Sequence, residues 1–205
     1  MAKYSIFINR VKCIETTSGS GNDEIYGIKF YMEFKGINGP TMNIERISIG
    51  SFSAGHSIWL SDGKKYLLEA EEIESLNYTM FFLLLAEKDD TPGKSLNNMI
   101  TNFKAWFPEK IYYYFNRYEW RKPDQWRKKF ISATYNKIDQ LFNDATENPG
   151  VDDDTMIDRN RIVIYQDDLD YVWKSKAGTR KEKNYTFTGD GGKYKAQIYI
   201  YGYHG

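Results

Sequence analysis

At 205 residues, with 28 basic and 28 acidic side chains, the chain carries no net charge, which argues against a nucleic-acid binder attracted by a whole-molecule field. Its length suits one sizeable core, or one domain with a large insertion, and two full domains would be cramped. A lone cysteine, Cys13, excludes an internal disulfide framework and fits a reducing compartment.

Between Lys3 and Arg10 there is no uninterrupted apolar segment, so no signal peptide is expected. The longest apolar run, Met80 to Ala86, is too short to span a bilayer and reads as a buried strand. The expectation is a soluble, cytoplasmic protein. Aromatic residues make up 17% of the chain, including 17 tyrosines, and short segments bounded by glycine recur, both of which favour β structure.

In chain order, Tyr4, Ile6 and Ile8 alternate, then Val11 and Cys13 follow at the opposite parity, predicting a first strand with a bulge near Asn9-Arg10. Thr16 to Asn22 is a Ser/Gly-rich loop ending in Asp23-Glu24. The next strand is the clearest period-two segment: Tyr26, Ile28, Phe30, Met32 and Phe34 face one way, Lys29 and Glu33 the other. Weaker strands are predicted around Ile44 to Ile49, Ser57 to Leu60 and Lys64 to Leu68, with a Ser61-Asp62-Gly63 turn joining the last two. Asn77 to Ala86 is apolar on both faces, as in a central strand covered on each side. Its exit, Glu87 to Gly93, is acidic and contains Pro92.

From Leu96 the period changes. Leu96, Met99, Ile100, Phe103 and Phe107 recur at helical spacing, and Pro108 and Pro123 each stand where a new helix could begin. Ile131, Tyr135, Ile138, Leu141, Phe142 and Ala145 form the stripe of the second helix. Residues 96–147 therefore read as a helical insertion. After Asn148-Pro149-Gly150 the β pattern returns at Arg161 to Tyr165, Tyr185 to Phe187 and Tyr194 to Tyr203, with a short helical turn at Gln166 to Leu169. In the last strand Ala196, Ile198 and Ile200 alternate with Gln197, Tyr199, Tyr201 and Tyr203. One face is apolar and the other is a tyrosine row.

Three acidic clusters stand where predicted strands begin or end: Asp23-Glu24, then Glu87 with Asp89-Asp90, then Asp152-Asp153-Asp154. Grouped carboxylate oxygens with nearby carbonyls are what a hard cation such as Ca²⁺ requires. If the clusters lie at opposite ends of the sheet structure, a shared site disappears. Aspartate is also favoured in turns for its local backbone hydrogen bonds, so any one cluster by itself reads as a solvated loop.

The order Gly-Ser-Gly-Asn-Asp-Glu-Ile-Tyr, an apolar strand running into Glu-Lys-Asp-Asp, and then Val-Asp-Asp-Asp-Thr-Met-Ile resembles C2-like calcium-binding β-sandwiches. It covers residues 4–95 and 150–203 and rests on strand and loop order rather than on a signature string. The resemblance implies that Asp23, Glu24, Asp89, Asp90, Asp152, Asp153 and Asp154 take the acidic loop positions. Glu87 stands where that family more often has Asp, and the helical insertion departs from it.

Lys110 to Lys137 interleaves Arg117, Arg121, Lys122, Arg127, Lys128 and Lys129 with Tyr112, Tyr113, Tyr114, Phe115, Tyr118, Trp120 and Trp126. Basic charge beside aromatic rings suits single-stranded nucleic acid or an anionic membrane, whereas aromatic stripes at helical spacing usually pack a core. The second reading is favoured. Catalytic signals are thin: His56 and His204 belong to no metal-ligand string, and Cys13 sits inside a strand.

The sequence thus predicts one mainly β domain over residues 1–205, an antiparallel β-sandwich of about eight strands with the helical insertion. The expected role is non-enzymatic: a C2-like module holding Ca²⁺ and docking onto a lipid headgroup or a protein, with no nucleic-acid partner. A protein-interaction domain, of the immunity or toxin-associated kind, that uses the helices as its interface is one alternative. A carbohydrate-binding sandwich whose tyrosine row stacks on sugars, with Trp59 and Trp173, is another.

Overall fold

The computed structural model describes residues 3–16, 23–34, 40–60, 65–73, 76, 79–87, 94–117, 123–147, 155–175, 179–189 and 191–203. Nine strands among them form two antiparallel sheets: β1 (Lys3–Glu15), β2 (Asp23–Phe34), β3 (Pro40–Phe52), β4 (Ser57–Trp59), β5 (Tyr66–Glu72), β6 (Thr79–Glu87), β7 (Thr155–Ile162), β8 (Arg180–Gly189) and β9 (Gly192–Tyr203). One sheet runs β4-β1-β9-β8, with β5 also paired to β1; the other runs β3-β2-β6-β7. The protein is a mainly β sandwich with a helical insertion, as its periodicity predicts.

Two apolar layers hold it together. The first lies between the sheets, where Ile6, Ile8, Val11 and Cys13 of β1 and Ala196, Ile198 and Ile200 of β9 meet Ile25, Phe81, Leu83 and Leu85. The second lies on the far side of the four-stranded sheet, under helices α1 (Lys94–Arg117) and α2 (Pro123–Glu147). There Ile28, Phe30, Met32, Met80, Phe82 and Leu84 pack against Met99, Phe103, Phe107, Phe130, Ile138 and Phe142. β6 is central to both layers, so every residue from Thr79 to Ala86 is buried. With roughly 1.5–3 kcal/mol gained per buried large apolar side chain, this strand anchors the fold.

Pro108 does not open a new helix. It lies inside α1, where it removes one backbone donor at a cost of about 3 kcal/mol. The i, i+4, i+8 stripe of Met99, Phe103 and Phe107, all buried on the sheet, offsets that cost. Pro123 does stand at the first position of α2, where a missing N–H is harmless.

The bulge expected in β1 is present as a register shift between Ile8 and Arg10 against β9. β8 and β9 form a hairpin that closes from Gly189↔Gly192, and Gly191 supplies the positive φ of 76° that a two-residue turn demands. The helical turn after β7 is longer than expected, a helix α3 (Gln166–Lys174) whose Leu169 and Val172 join the inter-sheet core. The Asp168 carboxylate accepts from the Tyr165 N–H at its start, 2.9 Å away, and pairs with the Lys183 ammonium of β8.

Candidate functional site

The start of β2, the end of β6 and the start of β7 meet at one end of the four-stranded sheet. In the register of β2, β6 and β7, Ile25 pairs with Glu87 and Glu87 pairs with Thr155. The start of β2, the end of β6 and the start of β7 are therefore lateral neighbours. Asp23 and Glu24 open β2, and Glu87 closes β6. Asp89, Asp90, Asp152, Asp153 and Asp154 lie outside the described residues.

The three described carboxylates have different surroundings. Asp23 is 4% exposed, and its Oδ2 accepts from the Tyr194 hydroxyl of β9. Glu24 is exposed and Glu87 half-buried. Tyr194 is itself fully buried, next to Cys13 in the β1–β9 register and edge-on to Phe52 at 5.8 Å. Burial, then the hydrogen bond to Asp23, pushes its hydroxyl far above the ordinary tyrosine range. Burial, with the Asp23 charge nearby, also raises the Cys13 thiol, which makes that sulfur a poor nucleophile. Among the described residues no group of three or more His, Cys, Asp or Glu side chains is placed to hold a metal ion. Asp23 and Glu24 are consecutive in β2, one buried and one exposed, so their carboxylates point to opposite faces of the sheet.

Backbone features shape this end. A bulge in β3 opposite Ile25 and Tyr26 brings Gly50 to φ 140°, where a Cβ would stand 2.7 Å from Ile58 Cδ1. A cleft of about 300 Å³ lined by Glu24, Tyr26, Ser48 and Ser51 lies beside it. On the other edge Asp158 ties β7 to β8: its Oδ2 accepts from the Thr188 N–H at 3.2 Å. Asn160 Nδ2 donates to the Thr186 carbonyl at 2.8 Å.

A second polar group lies between the sheets at the opposite end of β2, and the sequence reading does not single it out as a site. Lys29, Tyr31 and Glu33 face the sandwich interior, and Glu33 is fully buried. The Tyr31 hydroxyl donates to Glu33 Oε2, and Lys29 Nζ stands 2.9 Å from Glu45 Oε2 of β3. Burial, then this hydrogen bond, raises the Tyr31 hydroxyl well above its usual range. The signal available in sequence is that Ile25 and Tyr31 share parity with Lys29 and Glu33, which marks a mixed face rather than a wet one.

The tyrosine row lies on the outer face of the five-stranded sheet, where its rings are already engaged. Phe7 stacks on Tyr201 at 5.6 Å and meets Tyr199 edge-on at 5.8 Å, and the Arg180 guanidinium covers Tyr199 at 4.3 Å. Trp59 is exposed with Arg10 over its ring at 5.1 Å, and Trp173 packs on Tyr4 at 6.4 Å. In the helical insertion Tyr114 packs on Phe130, while Tyr112, Tyr113, Lys128 and Lys129 are exposed. No helix among the described residues is long and apolar enough to cross a membrane.

No protein-family model matches this chain, and neither a curated protein nor a solved structure shows significant similarity to it.

Proposed function

We propose that this protein is a non-enzymatic binding module that holds Ca²⁺ among loop carboxylates at the shared end of β2, β6 and β7, and docks through that end onto a lipid headgroup or a protein. The observation that carries this reading is the register Ile25↔Glu87↔Thr155. Asp89 and Asp90 follow Glu87 by two and three residues, and Asp152 to Asp154 precede Thr155 by three to one. A chain of two or three residues reaches at most about 7–11 Å, which supports reading these carboxylates together with the end at which their flanking strands meet. A cation there would neutralise the acidic end and let an anionic headgroup approach. The carboxylates would hold the ion, and the C2-like resemblance, an expectation from the sequence, points the same way.

Thermal unfolding with and without millimolar Ca²⁺ tests the reading. Bound cation raises the midpoint by the linkage relation, and Asp89→Asn with Asp90→Asn removes the effect, because affinity for a hard cation depends on ligand charge. A wild-type midpoint indifferent to millimolar Ca²⁺ ends the proposal.

A second reading rests on α1, where Tyr112 is 72% exposed next to the half-exposed Tyr113. Tyrosines on a helix surface suit a protein interface. In that case a partner binds equally well in Ca²⁺ and in chelator, and Tyr112→Ala weakens it.

A further inference from the structure

We propose that the gap between β3 and β5 is a binding cleft for a neutral, polyhydroxylated ligand of monosaccharide size. These strands are edges of opposite sheets. At the acidic end the same side of the sandwich is closed by β3 and β4, where Gly50 lies against Ile58. Further along, it opens into a cleft of about 220 Å³ lined by Lys29, Asn43 and Glu45 on one wall and Tyr66, Leu67, Leu68 and Glu69 on the other. That volume is below the roughly 300–1,000 Å³ of sites for drug-sized ligands, which limits the occupant to a single small ring.

The wall chemistry selects hydroxyl groups. The Lys29 side chain is only 7% exposed and pairs with Glu45 Oε2 at 2.9 Å; among the described residues this is its one side-chain partner, although an ammonium carries three N–H donors. Asn43 and Glu69 make no side-chain hydrogen bond or ion pair among the described residues. The cleft therefore presents an ammonium donor, an amide that both donates and accepts, and two carboxylate acceptors. A hydroxyl donates and accepts at once, so adjacent hydroxyls of one ring satisfy both kinds of group. A simple amine would use only the carboxylates and the amide oxygen of Asn43, leaving Lys29 unanswered, and a small anion only Lys29 and the Asn43 N–H groups.

The placement of Lys29 also lacks a packing rationale. A buried ion pair contributes little net stability, and apolar residues of the same volume often do better. A charge held buried at the wall of a cleft is what a site that uses it to bind a ligand would retain.

The test is an amide-resolved NMR titration of the whole chain with millimolar common hexoses, pentoses and N-acetylhexosamines, with their methyl glycosides alongside. The expected result is saturable shifts confined to β3, β5 and the Lys29 region for at least one sugar. Asn43→Ala and Glu69→Gln, both at exposed positions, each weaken binding about tenfold and leave the unfolding midpoint unchanged. Lys29→Met abolishes binding while the chain stays folded. A methyl glycoside that binds as well as its free sugar assigns the ligand to the end of a glycan chain; one that does not assigns it to a free monosaccharide. The proposal is overturned if no sugar produces saturable shifts in the cleft, if the shifts survive the Asn43→Ala/Glu69→Gln double variant, or if simple amines or zwitterionic amino acids bind there in place of sugars.

Discussion

The Tyr194 hydroxyl of β9 donates to Asp23 Oδ2 of β2, joining the two sheets across 171 positions of sequence at the end where β2 begins. Both side chains are buried, so the pair has little water to fall back on. Tyr194→Phe keeps the ring and its contact with Phe52 but removes the donor. Leaving a buried acceptor short of a partner costs about 1–3 kcal/mol, and urea unfolding should show a loss in that range. Asp23→Asn retains an acceptor oxygen for the same hydroxyl and should cost less.

The same hydrogen bond contributes to alkaline sensitivity. Burial raises the hydroxyls of Tyr31, Tyr135 and Tyr194 above the usual tyrosine range. A tyrosine raised in the folded state keeps its proton above pH 10 while the unfolded chain loses it, so the unfolded state binds fewer protons there. Stability is therefore full below about pH 10 and falls above it, by at most about 1.4 kcal/mol per pH unit for each such group. Absorbance at 295 nm should show a fraction of the 17 tyrosines remaining neutral until the protein unfolds. Ionisation of all of them as one set near pH 10, with the fold intact, would contradict the buried placement.

Where sequence was legible, the reason was local periodicity. The alternation of β2, the two-sided apolarity of β6 and the stripes of α1 and α2 each identify an element and its buried face. Pro108 misleads because proline chemistry is local, whereas the burial of Phe103 and Phe107 that retains it in α1 is tertiary. β3 runs from Pro40 to Phe52, well beyond the apolar Ile44 to Ile49, because its flanks pair with β2 through backbone groups that no side-chain pattern reveals. The inward position of Lys29 and Glu33 depends on which sheet covers them, a long-range fact. At the candidate cation site, the acidic clusters were visible as composition, but the common end of the strands that flank them follows only from the β2-β6-β7 register.

The helical layer gives a stability prediction. Ile138 is buried between α2 and the four-stranded sheet, while Lys129 is exposed on the same helix. Ile138→Asp places an unpaired charge in the apolar layer and should cost at least about 3 kcal/mol, whereas Lys129→Ala should stay within about 0.5 kcal/mol. Denaturant midpoints of the two variants check this. Small, equal effects would mean that the helices contribute nothing to the core.

The tight approach between the edges of the two sheets gives the last prediction. Gly189, at the end of β8, lies so near β7 that a Cβ on it would stand 1.9 Å from the Ile157 carbonyl oxygen. The obstacle is backbone, not the tip of a flexible side chain, so Gly189→Ala can be accommodated only if β7 and β8 move apart. Overpacking of this kind costs about 1–3 kcal/mol and sometimes more. The contacts on either side would be strained with it: the Thr188 N–H to Asp158 Oδ2 and Asn160 to the Thr186 carbonyl. Gly55 is the control, since it has a φ of 81° but a Cβ added there would meet nothing within 4 Å, so Gly55→Ala encounters only backbone strain of about 1 kcal/mol. Gly189→Ala should therefore lower the unfolding free energy by clearly more than Gly55→Ala and raise hydrogen exchange along β7 and β8. A Gly189→Ala protein as stable as wild type would show that the two edges are not in contact.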